Sequence, residues 1–101
     1  MNITGNIKVI GETQTFGAKG FRKRELVVTT NEQYPQTLMV EFIQDNCDLL
    51  NNFQIGKNVE IAINLKGRLW TNPEGVDKYF NSIQGWQIKE LIEETETETE
   101  F

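Results

Sequence analysis

Histidine is absent from this 101-residue chain, cysteine occurs once and proline twice. Without histidine, hydrolytic triads and histidine zinc sites lack their parts. There is also no Gly-rich phosphate loop of the P-loop or dinucleotide type. The lone Cys47 has no partner within the chain for a disulfide, so a reducing cytoplasm is the expected compartment. No apolar run approaches membrane-spanning length and the opening residues carry no signal-like stretch. No membrane partner, cofactor, metal or enzymatic activity is expected. The densest carboxylates sit where no preorganised metal geometry can form.

The distribution of charge says more than its sum. Residues 1–89 hold all 10 Lys and Arg against 9 Asp and Glu, whereas residues 90–101 hold 6 Glu and no base. The net charge of −5 therefore belongs to the end of the chain, and the body is slightly basic. Within the body the bases gather at Lys19, Arg22, Lys23 and Arg24, and again at Lys66, Arg68 and Lys78. Such clusters suit a phosphate backbone.

Hydrophobic alternation divides the body into short strands. Ile3, Gly5, Ile7 and Val9 alternate with polar residues, predicting a first strand over about residues 2–11. Residues 12–20 lack periodicity and read as a loop carrying Phe16 and Lys19, followed by a second strand from Phe21 to Thr30. After a turn over residues 31–35, Leu38, Val40 and Phe42 mark a third strand, and Pro35 fixes where it can begin. Asp45 or Asn46 is expected to cap a short helix with Cys47, Leu49, Leu50 and Phe53 on its apolar side, ended by Gly56. Val59, Ile61, Ile63 and Leu65 give the inner face of a long fourth strand running to Trp70. Residues 71–75 are its turn. A fifth strand from Lys78 to Lys89 needs a bulge near Gly85 to bring Ile83 and Trp86 onto one face, and Trp86 is expected in the core.

Three strands, a short helix and a long hairpin is the order of an all-β, five-stranded Greek-key barrel, the OB-fold, with its helix between strands 3 and 4. A small sandwich or an SH3-like barrel also has short alternating strands, but neither calls for a helix at that point. The expected organisation is one domain over residues 1–90 and a disordered acidic tail over residues 91–101.

The stretch Ile55-Gly56-Lys57-Asn58-Val59-Glu60-Ile61, with Leu65-Lys66-Gly67-Arg68-Leu69-Trp70-Thr71-Asn72-Pro73-Glu74-Gly75-Val76-Asp77-Lys78-Tyr79-Phe80, resembles the long hairpin of bacterial and phage single-stranded DNA-binding proteins. The shared pattern is a Gly-led strand, Arg-x-Trp-Thr entering the turn, a Gly, and a basic-Tyr pair leaving it. The family's acidic tail closes on phenylalanine and recruits replication and repair enzymes. Glu96, Glu98, Glu100 and Phe101 stand in that position here. Two features depart from the family. Its tail linker is usually long and rich in Gly, Pro and Gln, and its tip usually carries aspartates and a proline.

The resemblance implies a sequence-nonspecific coat for single strands in replication, recombination and repair. The residues supply the chemistry for such a coat, which is positive charge for phosphates and flat rings for bases. Phe16, Lys19, Phe21, Arg22, Lys23 and Arg24 lie in the first loop and second strand, and Lys66, Arg68, Trp70, Lys78 and Tyr79 on the hairpin. Strand parity places Lys66, Arg68 and Trp70 together on the face opposite the core, with Trp70 as the leading stacking ring. Of the neighbours Tyr79 and Phe80 only one can share that face, and the resemblance falls on Tyr79. Arg22 and Arg24 share one side of their strand and Lys23 takes the other, so at least one base must lie off the binding face.

Six carboxylates tethered near a basic groove also mimic phosphate, so the tail is expected to occupy the groove until DNA displaces it. The main alternative is an OB-fold adaptor or inhibitor that docks on a replication enzyme through Phe101 and touches no nucleic acid. Single-stranded RNA would use the same stacking surface. Exposed edges on the first and third strands are expected to pair between copies, giving a dimer or larger homo-oligomer.

Overall fold

The structure is a computed structural model, described here for residues 1–91. Its elements are β1 (Asn2–Ile10), β2 (Gln14–Phe16), β3 (Phe21–Thr30), β4 (Thr37–Ile43), a 3₁₀ helix (Gln44–Asn52), β5 (Asn58–Thr71) and β6 (Asp77–Glu90). The strands run in the order β1-β5-β6-β4-β3-β2, and a β1–β3 pairing closes the barrel. This is the expected OB-type barrel, with β2 added where the sequence predicted only loop. That short strand pairs Gln14, Thr15 and Phe16 with Lys23, Arg22 and Phe21.

Closure depends on β1 serving two neighbours. Its first half, Asn2–Asn6, pairs with β5, and Gly5–Ile10 pairs with β3. Gly5 sits at the crossing, where a Cβ would lie 2.6 Å from the Thr29 carbonyl oxygen. Only a residue without a side chain lets the two strands approach so closely.

The core is Ile7, Leu26, Val28, Val40, Phe42, Val59, Ile61 and Ile63, joined by Leu50 from the helix. Alternation picks out Ile7, Val40, Phe42, Val59, Ile61 and Ile63, whereas Val9, grouped with Ile7, is exposed beyond a register shift in β1. Each contributes about 1.5–3 kcal/mol by leaving water. The helix itself is 3₁₀ in type, because its buried side chains recur every third residue, at Cys47 and Leu50, with half-buried Phe53 next. Neither Asp45 nor Asn46 caps it. The capping position is Ile43, which makes no side-chain cap, and the chain enters through Gln44 in the left-handed region at φ 53°.

β5 and β6 extend well past the barrel as a two-stranded ribbon. Both faces of β5 are exposed from Asn64 onward, so Leu65, expected on the core face, is 64% exposed. The alternation is real, but the barrel wall it would pack against has ended. The turn spans residues 72–76. Asn72 Oδ1 accepts the backbone N–H groups of Glu74 (3.0 Å) and Val76 (2.8 Å), and Gly75 takes φ 85°.

The bulge expected near Gly85 is present. Ala62 faces Gln87 and Ile63 faces Gly85, which leaves Trp86 as the extra residue. The bulge turns Trp86 outward, to 50% exposure, rather than into the core. Gly85 takes the inward place instead, with the Phe42 ring so close that a Cβ would lie 2.5 Å from Cζ.

Candidate nucleic-acid interface

Residues directly opposite one another in a β-ladder share a face. In the ribbon Lys66 faces Ser82, Arg68 faces Phe80 and Trp70 faces Lys78. One side therefore carries three bases and two rings. The Arg68 guanidinium lies over the Phe80 ring at 5.6 Å from its centroid, a cation–π contact. Among the described residues Lys66, Arg68 and Lys78 form no ion pair, so their charge is uncompensated.

The single β4–β6 bridge, Glu41 to Gln84, carries this face onto the barrel. Glu41 leads to Lys23 on β3, whose Nζ is 3.6 Å from Glu41 Oε2 and 5.6 Å from the centroid of Phe16. Phe16 is paired with Phe21 across the β2–β3 ladder. A concavity of about 610 Å³ lies between barrel and ribbon, lined in part by Lys23, Glu41, Lys66, Arg68, Phe80 and Gln84. Bases for phosphates and rings for stacking thus alternate over four strands of one surface.

Phe16, Phe21, Lys23, Lys66, Arg68, Trp70 and Lys78 lie on that surface, and Lys19 sits in the exposed Gly17–Gly20 turn at its rim. Three expected residues do not lie on it. Tyr79 pairs with Leu69 on the reverse of the ribbon, where it is 76% exposed, so Phe80 takes the place expected for it. Sequence reasoning missed Phe80, although the parity that joins Trp70 to Lys78 across the turn points to it.

Arg22 and Arg24 lie on the inner side of β3 and turn to the 3₁₀ helix. Arg22 pairs with Asp45 (3.1 Å) and Asp48 (3.4 Å). Arg24 donates from Nε to the Gly11 carbonyl (2.7 Å) and from Nη1 to the Cys47 carbonyl (3.2 Å) and Asn51 Oδ1 (2.8 Å). Their charge is taken up by partners within the chain, at the surface for Arg22 and partly buried for Arg24, because the helix that follows β4 packs against that end of β3. The same packing buries Cys47, whose thiol donates to the Phe42 carbonyl at 3.2 Å. Burial pushes the thiol pKa up.

The acidic cluster of Glu96, Glu98, Glu100 and Phe101 lies outside the described residues. Residues 2–89 match a family described as a domain of unknown function, DUF3127. The chain belongs to the DUF3127 family. No curated protein matches this DUF3127 chain. Among solved structures it is similar to the mitochondrial single-stranded DNA-binding protein Rim1 of S. cerevisiae, with a TM-score of 0.65 at 14% identity, over 90% of this chain and 92% of that one. A selenomethionine-labelled Rim1 structure gives a TM-score of 0.64 at the same identity and coverage. At that identity the likeness is one of fold, and it identifies the DUF3127 barrel as an OB-fold.

Proposed function

We infer that this protein binds single-stranded DNA, mainly through stacking and phosphate contacts that do not read sequence. The observation that carries this reading is the shared face of the ribbon, where the unpaired cations Lys66, Arg68 and Lys78 alternate with Trp70 and Phe80. A flat, basic, ring-bearing surface fits splayed bases and a flexible backbone, whereas a duplex hides its base faces. Lys23 and Phe16 extend the track across the barrel. The similarity of the fold to Rim1, itself a single-stranded DNA-binding protein, supports the same reading. In this proposal the acidic stretch through Phe101 recruits enzymes that work on single strands in replication, recombination or repair. The chain then acts in the cytoplasm as a binding protein rather than a catalyst.

The test is tryptophan fluorescence during titration with oligo-dT at low and high salt. Both Trp70 and Trp86 are exposed, so Trp86→Phe leaves Trp70 as sole reporter. Quenching of Trp70 that weakens as salt rises is the expected result. Absence of quenching at low salt overturns the reading and favours the adaptor.

A further inference from the structure

Two groups on the face that carries the proposed DNA track, Glu41 and Glu25, are of the wrong sign for phosphate. Glu41 lies among Lys23, Lys66 and Arg68 in the concavity, with its side chain only 20% exposed. Directly opposite it across the β3–β4 ladder stands Glu25, a like-charge pair that costs stability. Among the described residues the Glu41 carboxylate accepts no hydrogen bond, and its one charged contact is the Lys23 ammonium at 3.6 Å. A half-buried carboxylate with free lone pairs repels phosphate and calls for N–H donors.

Next to it, where β4 and the root of the ribbon diverge, is a crevice of about 500 Å³. Met39, Leu65 and Ile83 give it apolar walls, while Glu41, Lys66 and Ser82 give it a polar margin. It shares Glu41, Lys66 and Ser82 with the larger concavity, so a strand lying on the DNA face passes its mouth. Apolar walls with a few convergent polar groups are the usual make-up of a small-ligand pocket, and this volume has room for one purine.

We propose that this crevice is a nucleobase pocket selective for guanine, with Glu41 as the reading residue. This rests on the single-stranded DNA reading above. Guanine presents N1–H and an N2–H side by side on its Watson–Crick edge, two parallel donors that match the two carboxylate oxygens as a guanidinium does. Cytosine and adenine offer one amino N–H beside a ring-nitrogen acceptor, and thymine offers one N–H between two carbonyls. In each of those bases a lone pair faces the carboxylate. The donor edge of guanine is free only in a single strand. Because the rest of the surface is indifferent to sequence, the strand slides until a guanine reaches the pocket. The protein then coats any strand and pauses where guanine occurs.

The experiment compares binding of dT15, dT15 carrying isolated dG substitutions, and the same oligomer with deoxyinosine, which keeps N1–H but lacks the N2 amino group. Fluorescence anisotropy is the readout, on wild type and on Glu41→Gln with its fold checked by circular dichroism. The expected result is about 5–20-fold tighter binding of the dG oligomer than of dT15, with inosine losing most of that gain. Glu41→Gln removes the preference, and it retains or tightens dT15 binding, since the hairpin contacts remain and Lys23 is freed from its carboxylate partner. Equal wild-type affinity for dG and dT oligomers overturns the proposal, as does a dG preference that survives in Glu41→Gln. Both outcomes leave the single-strand reading standing. Failure of every oligomer to bind overturns both.

Discussion

Phe80 and Tyr79 are adjacent and both exposed, yet strand parity gives them opposite faces of the ribbon. If stacking contributes about 1–3 kcal/mol per base, Phe80→Ala lowers oligo-dT affinity by about 5- to 150-fold, and Tyr79→Ala leaves it within about twofold. Parallel anisotropy titrations check the pair. Gly85 is a second site where one atom decides. An added methyl would meet three Phe42 ring atoms at 2.5–3.0 Å, and Phe42 is fully buried. Gly85→Ala therefore destabilises the fold by about 1–3 kcal/mol in urea melts. Cys47 gives the residue-scale pH effect. Burial holds its thiol pKa above the unfolded value, so that contribution to stability is intact below the ordinary thiol range and is lost as pH rises through the folded pKa. The native chain is expected to resist a thiol reagent at pH 8 and to react on adding urea.

At the scale of elements, the 3₁₀ helix and the ribbon divide the basic residues between stability and the proposed binding. The helix takes Arg24 through hydrogen bonds to Cys47 and Asn51, with a third to the Gly11 carbonyl just after β1, and Arg22 through two carboxylates. Arg24→Ala should cost about 1.5–3 kcal/mol of stability, because charge-assisted bonds to backbone carbonyls are lost. Oligo-dT affinity should change by less than about twofold. The reverse pattern, normal stability with weakened binding, would place Arg24 on the DNA face. The ribbon is the opposite case. Two strands with both faces in water are marginal alone, so their order rests on the Asn72 turn network and on cross-strand pairs such as Arg68 and Phe80.

At the scale of the molecule, the barrel presents a basic, ring-bearing face, while two further lysines, Lys57 and Lys89, are neutralised. Lys57 pairs with Glu90 (3.2 Å) and Lys89 with Glu60 (3.4 Å). With three or four phosphates met by Lys66, Arg68, Lys78 and Lys23, log K should fall against log salt with a slope of about −2 to −3. Lys66→Ala should reduce the slope by about 0.7. A slope near zero in the wild type would mean that stacking alone holds the strand.

Alternation by itself determined the five principal strands and most of the core, because an inward face reads as period two wherever it meets a packed wall. Val59, Ile61 and Ile63 obey that rule, and Leu65 departs from it only because the wall stops. The helix position was legible from Cys47, Leu49 and Leu50, but its 3₁₀ type was not, since the choice follows from which side chains the barrel end can bury. For the candidate interface, parity grouped Lys66, Arg68 and Trp70. The roles of Arg22, Arg24, Phe80 and Trp86 were decided by contacts between segments far apart in sequence: the helix packing on β3, the register across the turn, and a bulge that gives Gly85 the place facing Phe42. Residue type and spacing set what each strand can offer, but which side chains share a surface depends on register and closure, and only the folded barrel supplies those.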